Sequence, residues 1–324
     1  MEPIIALRVT KTLAGLIGIF GNGLVCIVIF LVKSMHTTTN MFIFNQAVMD
    51  FLGCLLLLLS SNVPVPDPLP PGLAGTLLCH LWISDSIVWL LYSASTINLA
   101  MLTFERYFAI VFPFKYGPLF CYKKSVPVCM LIFAWLMGFL VAVYGSAIFA
   151  PVDDHCISVN IPGGNVLGIL IIGIYYFIPI LFMIFAYIHI SIELKRSSNR
   201  VVPVIGRTAA DDRSEAPAAP QQDDPIKRAR INTYKTLLVV VGAYIICWTP
   251  NEIIFLLFNL GWLYLDFSGA LYIVSVALVA INSCINPVIY AFKYKQFQKA
   301  VMQVFFRRRP TANSVATVET ELRG

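Results

Sequence analysis

The feature that most constrains this chain is the recurrence of long apolar runs. Seven segments of eighteen or more residues, at about 12–32, 41–62, 81–111, 125–149, 166–190, 233–260 and 269–291, are nearly free of charge. Each is long enough to cross a hydrocarbon core of roughly 30 Å. Lipid offers no partners for backbone N–H and C=O groups, so such runs must satisfy them internally as helices. The composition agrees: 58% of the 324 residues are hydrophobic and only 12% are charged. The expected fold is an all-α membrane protein, a seven-transmembrane helix bundle. No cleavable leader precedes the first run, which is expected to act as its own insertion signal.

Lys and Arg set the orientation. The segments after runs one, three, five and seven carry Lys33, Lys115, Lys123, Lys124, a dense set from Lys195 to Lys235, and Lys293 to Arg309. The segments after runs two, four and six carry Asp67, Asp153, Asp154 and Asp266 and no Lys or Arg. The positive-inside rule therefore puts the N-terminus outside and the C-terminus in the cytoplasm, and the net charge of +6 describes a face beside anionic lipid. No basic tract interleaved with aromatics suggests nucleic acid. Of the eight cysteines only Cys79 and Cys156 fall on the outer side, where disulfides persist. They are the expected pair, with two free thiols as the alternative.

The organisation follows. Residues 1–11 form a short outer N-terminus, either short by nature or lacking an upstream portion, and 12–292 the membrane domain. The third inner loop, about 197–226, includes "TAADDRSEAPAAPQQDDP" and is too poor in large apolar residues to fold. Residues 293–306 read as a short amphipathic helix on the inner membrane surface, with Phe297, Val301, Val304 and Phe305 on one face. Residues 307–324 form a cytoplasmic tail. The proline-rich "VPVPDPLPPG" after run two is expected to be extended.

Polar groups inside the runs each need a reason, since an ionisable side chain at mid-membrane costs roughly 2.5–3.5 kcal/mol on insertion scales. Run one has Asn22 in "GNGLV", run two Asp50, and run three "ERY" (Glu105, Arg106, Tyr107). Run four has Trp135, run five Pro179 and Tyr187, run six "CWTPNEI", and run seven "NSCINPVIY". In this order they resemble the rhodopsin-like (class A) G-protein-coupled receptors, over about residues 11–305, with Phe297 at the family's surface-helix aromatic. The resemblance implies an outer ligand and a heterotrimeric G protein at the inner face. It also implies arrestin and receptor kinases at the inner loops and tail, and residence in the plasma membrane. Glu105, Arg106, Tyr107, Tyr187, Trp248, Pro250, Asn286, Pro287 and Tyr290 become the expected activation switch. Pro179, Pro250 and Pro287 each free a carbonyl and allow a helix to pivot. Asp50, Ser95, Asn282 and Ser283 match the family's sodium cluster, and their oxygens suit a hard cation. A water-filled network around a protonated Asp50 is the alternative. Where some relatives hold the arginine with an acid of span six, twenty residues before Pro250, this chain has Arg230, so a leaky resting state is expected.

The ligand is read from what is absent as well as present. Span seven has no lysine for a Schiff base, which excludes an opsin. The amine-receptor aspartate of span three is replaced by Val88. By period, Trp82, Asp85, Trp89, Tyr92 and Thr96 share a face, packing being the plainer reading of such aromatics. The resemblance puts Glu252, and nearly Asn251, at ligand-facing positions of span six and Trp248 one turn deeper at the family's toggle position, while Tyr264, Trp262 and Tyr272 crowd the outer ends of spans six and seven. Acids among aromatics suit a cation. A short cationic neuropeptide is the first expectation, on a likeness to the galanin, allatostatin and somatostatin branch. A biogenic amine is the alternative. Glu252 has two other readings: a protonated acid bonded to a tyrosine or asparagine, and a proton sensor. Cys79 lies 27 residues before Arg106, two more than the family pattern, so a bulge or longer outer turn is expected and the direction of Asp85 stays open. A transporter would show a polar path across the whole membrane, and a zinc enzyme a motif such as His-Glu-X-X-His. Neither is present.

Overall fold

The computed structural model describes residues 2–199, 225–264 and 269–306, apart from the side chains of residues 2–4, 6, 197–199 and 225–230. The third inner loop, the tail and the Arg230 side chain therefore lie outside the described residues. The elements are α1 (Glu2–Leu31), α2 (Thr38–Asn62), α3 (Leu73–Leu77), α4 (Ser86–Val111), α5 (Pro113–Tyr116) and α6 (Ser125–Ala147). Then come β1 (Phe149–Val152), β2 (His155–Ser158), α7 (Gly164–Ile172), α8 (Ile178–Asn199), α9 (Pro225–Asn259), α10 (Ala270–Lys293) and α11 (Lys295–Phe306). Among the described residues seven helical segments are long and apolar enough to cross a membrane, from Leu7–Leu31 to Ala270–Lys293.

Lipid-facing and bundle-facing sides separate as the apolar runs require. Phe20, Phe30, Ile246 and Phe292 stand exposed on the outside of the bundle, while the polar residues of the same helices are buried within it. Small residues let helices approach where lipid supplies no hydrophobic drive. A Cβ at Gly138 of α6 would sit 2.8 Å from Ala94 Cβ of α4 and against the Leu90 carbonyl, and one at Gly21 of α1 would sit 3.0 Å from Pro287. Overpacking of this kind costs about 1–3 kcal/mol. Gly138→Val is therefore expected to lower the melting temperature of the purified receptor by about 5 °C or more. An unchanged melting temperature would show that α4 and α6 do not pack through this site.

Buried amides knit the inner half. Asn98 of α4 donates to Gln46 Oε1 at 2.8 Å and to the Phe42 carbonyl at 3.0 Å. Asn45 donates to Asn98 Oδ1 at 2.9 Å, and Trp135 Nε1 donates to Asn45 Oδ1 at 3.1 Å. Asn22 donates to the Ser283 carbonyl at 2.8 Å and ties α1 to α10. Such bonds average roughly 0.6 kcal/mol each in membranes, so they set register more than stability.

The structure adds detail to four expectations. The outer N-terminus is not a separate tail in the described residues: helix α1 starts at Glu2, continuing span one outward. To the seven-helix bundle the structure adds a short outer hairpin, in which β1 and β2 pair Phe149 with Ser158 and Val152 with His155. Its turn residues Asp153 and Asp154 have φ of 48° and 60°, the positive values that a two-residue hairpin turn requires. On α11 Phe297 is buried and Val301 and Val304 pack on the core, while Phe305, at the edge of the same face, is 58% exposed, on the side where the helix would meet the bilayer. Trp262 and Tyr264, just past the outer end of α9, are 77% and 93% exposed.

Candidate functional site

The outer end of span three is where the sequence pattern and the backbone part. Cys79 is bonded to Cys156 of β2, with a Cα–Cα distance of 5.3 Å. Between Cys79 and α4 the chain makes a π turn over Leu78–Ile83, and Asp85 adopts the left-handed conformation with φ 52°. These two features take up the two extra residues, as a bulge or longer turn was expected to do. They also break the 3.6-residue period. Trp82 and Asp85 therefore do not continue the face of Trp89, Tyr92 and Thr96, which lie on α4 itself. Asp85 is partly exposed, and its charge is felt by Lys11 of α1 and Tyr272 of α10. Val88, the residue at the amine-receptor position, is buried in the core cluster.

Below Asp85 an aromatic stack descends into the bundle. Trp89 meets Tyr92 edge-on at 6.4 Å, and Tyr92 meets Trp248 at 5.9 Å and 87°. Trp248 lies 5.7 Å from Tyr244, whose hydroxyl donates to Thr96 at 3.0 Å. Edge-on aromatic pairs are favoured by the ring quadrupole, so the stack is a coupled unit joining α4 to α9.

Glu252 is 1% exposed. The Tyr175 hydroxyl donates to its Oε1 at 2.6 Å, while Oε2 is buried with no hydrogen-bond partner. Trp248, one helical turn deeper, likewise buries an unpartnered indole N–H. Tyr175 belongs to a π turn over Gly173–Phe177, just before Pro179. A proline removes the N–H that would bond four residues back, and the ladder widens by one residue to accommodate it. The freed carbonyl follows from Pro179, but nothing in the sequence pattern singled out the Tyr175 side chain. Near Pro250, Thr249 caps the Ile245 carbonyl at 2.5 Å and meets the Tyr176 hydroxyl at 2.7 Å. Asn251 donates to Ser275 at 3.1 Å, so it is engaged with α10 rather than free. Tyr272, above it on α10, is half-buried.

Mid-bundle, Asp50 is buried. Its Oδ1 accepts from Ser95 at 3.3 Å and its Oδ2 from Asn286 at 2.9 Å, and Gln46 bonds Ser95 from behind. Asn282 is not on the carboxylate; its Oδ1 is buried without a partner. Ser283 gives its carbonyl to Asn22 and its hydroxyl lies by Tyr92. Asp50, Ser95 and Asn286 are thus brought together directly. Asn286 joins this cluster, although its motif suggested only the switch. Asp50 and Ser95 present the hard oxygens that a sodium ion takes, and the unpartnered Asn282 oxygen sits on α10 one helical turn from Asn286.

At the inner end Arg106 is held by its own neighbour. Its Nε donates to Glu105 Oε2 at 2.5 Å, its terminal nitrogen to Oε1, and the same nitrogen lies 3.3 Å from the Tyr116 hydroxyl. Tyr116, on α5 of the second inner loop, also donates to Glu105, as does Thr39 at 3.2 Å. Burial and the Glu105 carboxylate push the Tyr116 hydroxyl up, so it stays a donor at neutral pH. Tyr107 bonds His189 of α8 at 2.8 Å. Tyr187 packs on Tyr234 at 5.6 Å, and Tyr290 lies between Tyr294 and Phe297 at 6.3 and 6.4 Å. Tyr294 donates to Asn40 at 2.7 Å. Pro287 packs on α1 beside Gly21. Tyr116 and Thr39 went unread because the pattern searched for a partner on span six.

Comparison with known proteins shows the family. Residues 21–290 match the 7 transmembrane receptor (rhodopsin family). Trace amine-associated receptor 1 of Mus musculus is 30% identical over 303 residues, covering 88% of this chain and 83% of that protein. The alpha-1A adrenergic receptors of Rattus norvegicus and Homo sapiens are each 26% identical, over 93% and 90% of this chain. The chain spans 69% and 66% of their lengths, about two thirds. The chain belongs to the rhodopsin-like family of G-protein-coupled receptors: a multi-pass membrane receptor for a ligand and a G protein, not an enzyme.

Proposed function

We propose that this receptor is activated by a small cationic ligand, a biogenic amine, bound in the outer half of the bundle with Glu252 as its counter-ion. The observation that carries the reading is the fully buried carboxylate with one oxygen unpartnered, beside the stack of Trp248 and Tyr92. A cation would complete the oxygen and lie against aromatic faces. The relatives named for adrenergic and trace-amine ligands support the ligand class. With Val88 at the usual position, the acid moves from span three to span six, and Asp85 and Tyr272 line the approach. A short cationic peptide is the second reading; the exposed Trp262 and Tyr264 at the outer end favour it. The N-terminus lies outside, in the plasma membrane, and the inner loops and tail receive the G protein, arrestin and receptor kinases.

The test is G-protein activation in cells challenged with a panel of biogenic amines and amidated peptides. Activation by at least one monocationic amine is expected. Responses confined to neutral or anionic compounds would overturn the reading. A response that instead followed external pH across roughly 6 to 8, with no ligand added, would move Glu252 to proton sensing.

The mid-bundle cluster would hold sodium through Asp50, Ser95, Asn282 and Asn286, with Ser283 behind them. A cation there ties α2, α4 and α10 in the packing described, so linkage makes it oppose activation. Replacing external sodium by an impermeant organic cation is expected to raise agonist affinity about fivefold or more, and to leave Asp50→Asn unmoved. An equal effect on both receptors would remove the site.

A further inference from the structure

We propose that the inner half of spans three and four forms a phospholipid site, taking one acyl chain of an anionic lipid whose headgroup rests on Lys123 and Lys124. A groove of about 310 Å³ opens between α4 and α6, lined by Met101, Ser125, Val126, Cys129, Met130 and Phe133. That volume is at the lower end for small-molecule sites. Ser125, Cys129 and Phe133 recur at four-residue spacing, so the groove climbs one face of α6 for about 12 Å from its cytoplasmic end. Cys129 is exposed and Phe133 is 46% exposed, so this face looks out into the bilayer rather than into the bundle.

Charge says which lipid. Tyr122, Lys123 and Lys124 all lie exposed directly below the groove, at the level where aromatic and basic side chains meet headgroups. The nearest acid on α4, Glu105, is buried and already paired with Arg106, so the two lysines are uncompensated from that side. Anionic headgroups concentrate on the cytoplasmic leaflet, which is the leaflet at this end under the proposed orientation. The apolar channel and the basic foot therefore match the two halves of one anionic phospholipid. A sterol would use the channel and leave the lysines idle.

The test uses the full-length receptor reconstituted in bilayers of equal phosphatidylserine and phosphatidylcholine, then examined by native mass spectrometry. Wild type is expected to retain one phosphatidylserine over phosphatidylcholine on the order of tenfold, from two lysines at a headgroup. Met130→Trp, which fills the channel, is expected to lose the retained lipid. Lys123→Gln with Lys124→Gln is expected to lose the preference. A fluorophore on the exposed Cys121, below the groove and outside its lining, in a Cys129→Ser background, gives a readout that does not depend on those variants folding. Spin-labelled phosphatidylserine should quench it more strongly than spin-labelled phosphatidylcholine. Equal quenching by the two, or equal retention of both or of a sterol, would overturn the site.

Discussion

Receptor carrying Glu252→Gln is expected to need about thirtyfold more of a cationic agonist, or higher still, to reach half-maximal activation. Removing one partner of a buried, hydrogen-bonded charge pair costs roughly 2–5 kcal/mol, and 2 kcal/mol is a factor of about thirty. Glutamine is the informative replacement because it keeps the volume and still accepts from Tyr175 through its amide oxygen. What it cannot supply is charge at the second oxygen, the one buried without a partner. Tyr175→Phe tests the other half of the pair. It releases Oε1 and keeps the charge that faces the ligand, so its potency change should be smaller than that of Glu252→Gln. Full potency on Glu252→Gln would sink the counter-ion role. A larger loss on Tyr175→Phe than on Glu252→Gln would mean that the tyrosine, not the carboxylate, meets the ligand.

The seven spans were legible because lipid allows so few alternatives: an uncharged run of that length has to be a helix. The polar residues inside them were legible for the same reason, since each had to find a partner within the bundle. Asp50 on Ser95, and Asn22 on α10, are what those residues could do at those depths. Asp85 was not legible. A left-handed residue after a π turn is set by where the disulfide and the hairpin hold the end of span three, and neither is encoded in the local period. The hairpin was missed because its turn is Asp153-Asp154, where glycine would have announced positive φ. The Tyr175 contact escaped for a related reason: the π turn before Pro179 rotates the preceding residues, so a count at 3.6 per turn points this side chain elsewhere.

The inner lock differs from the one the motif suggested, and it leads to the second large effect. Glu105→Gln is expected to raise agonist-independent signalling about tenfold or more over wild type, read as basal G-protein activation at matched surface expression. Arg106 has no acid opposite it at the span-six position, where the sequence has Arg230. What retains it is the two-point contact to Glu105, with Tyr116 bridging both groups and Thr39 fixing the carboxylate from α2. Hydrogen bonds between charged groups contribute roughly 1.5–3 kcal/mol, and a two-state equilibrium shifts by whatever its resting state loses. Glutamine keeps one acceptor for Thr39 or Tyr116 but ends the ion pair, so the arginine is released toward the inner face. Tyr116→Phe removes the bridge alone and should give a smaller rise. The lock is local to span three and the second inner loop, so a charge reversal at Arg230→Glu should lower basal activity by adding the missing span-six partner. Basal signalling that stayed at the wild-type level in Glu105→Gln would show that Arg106 is held elsewhere.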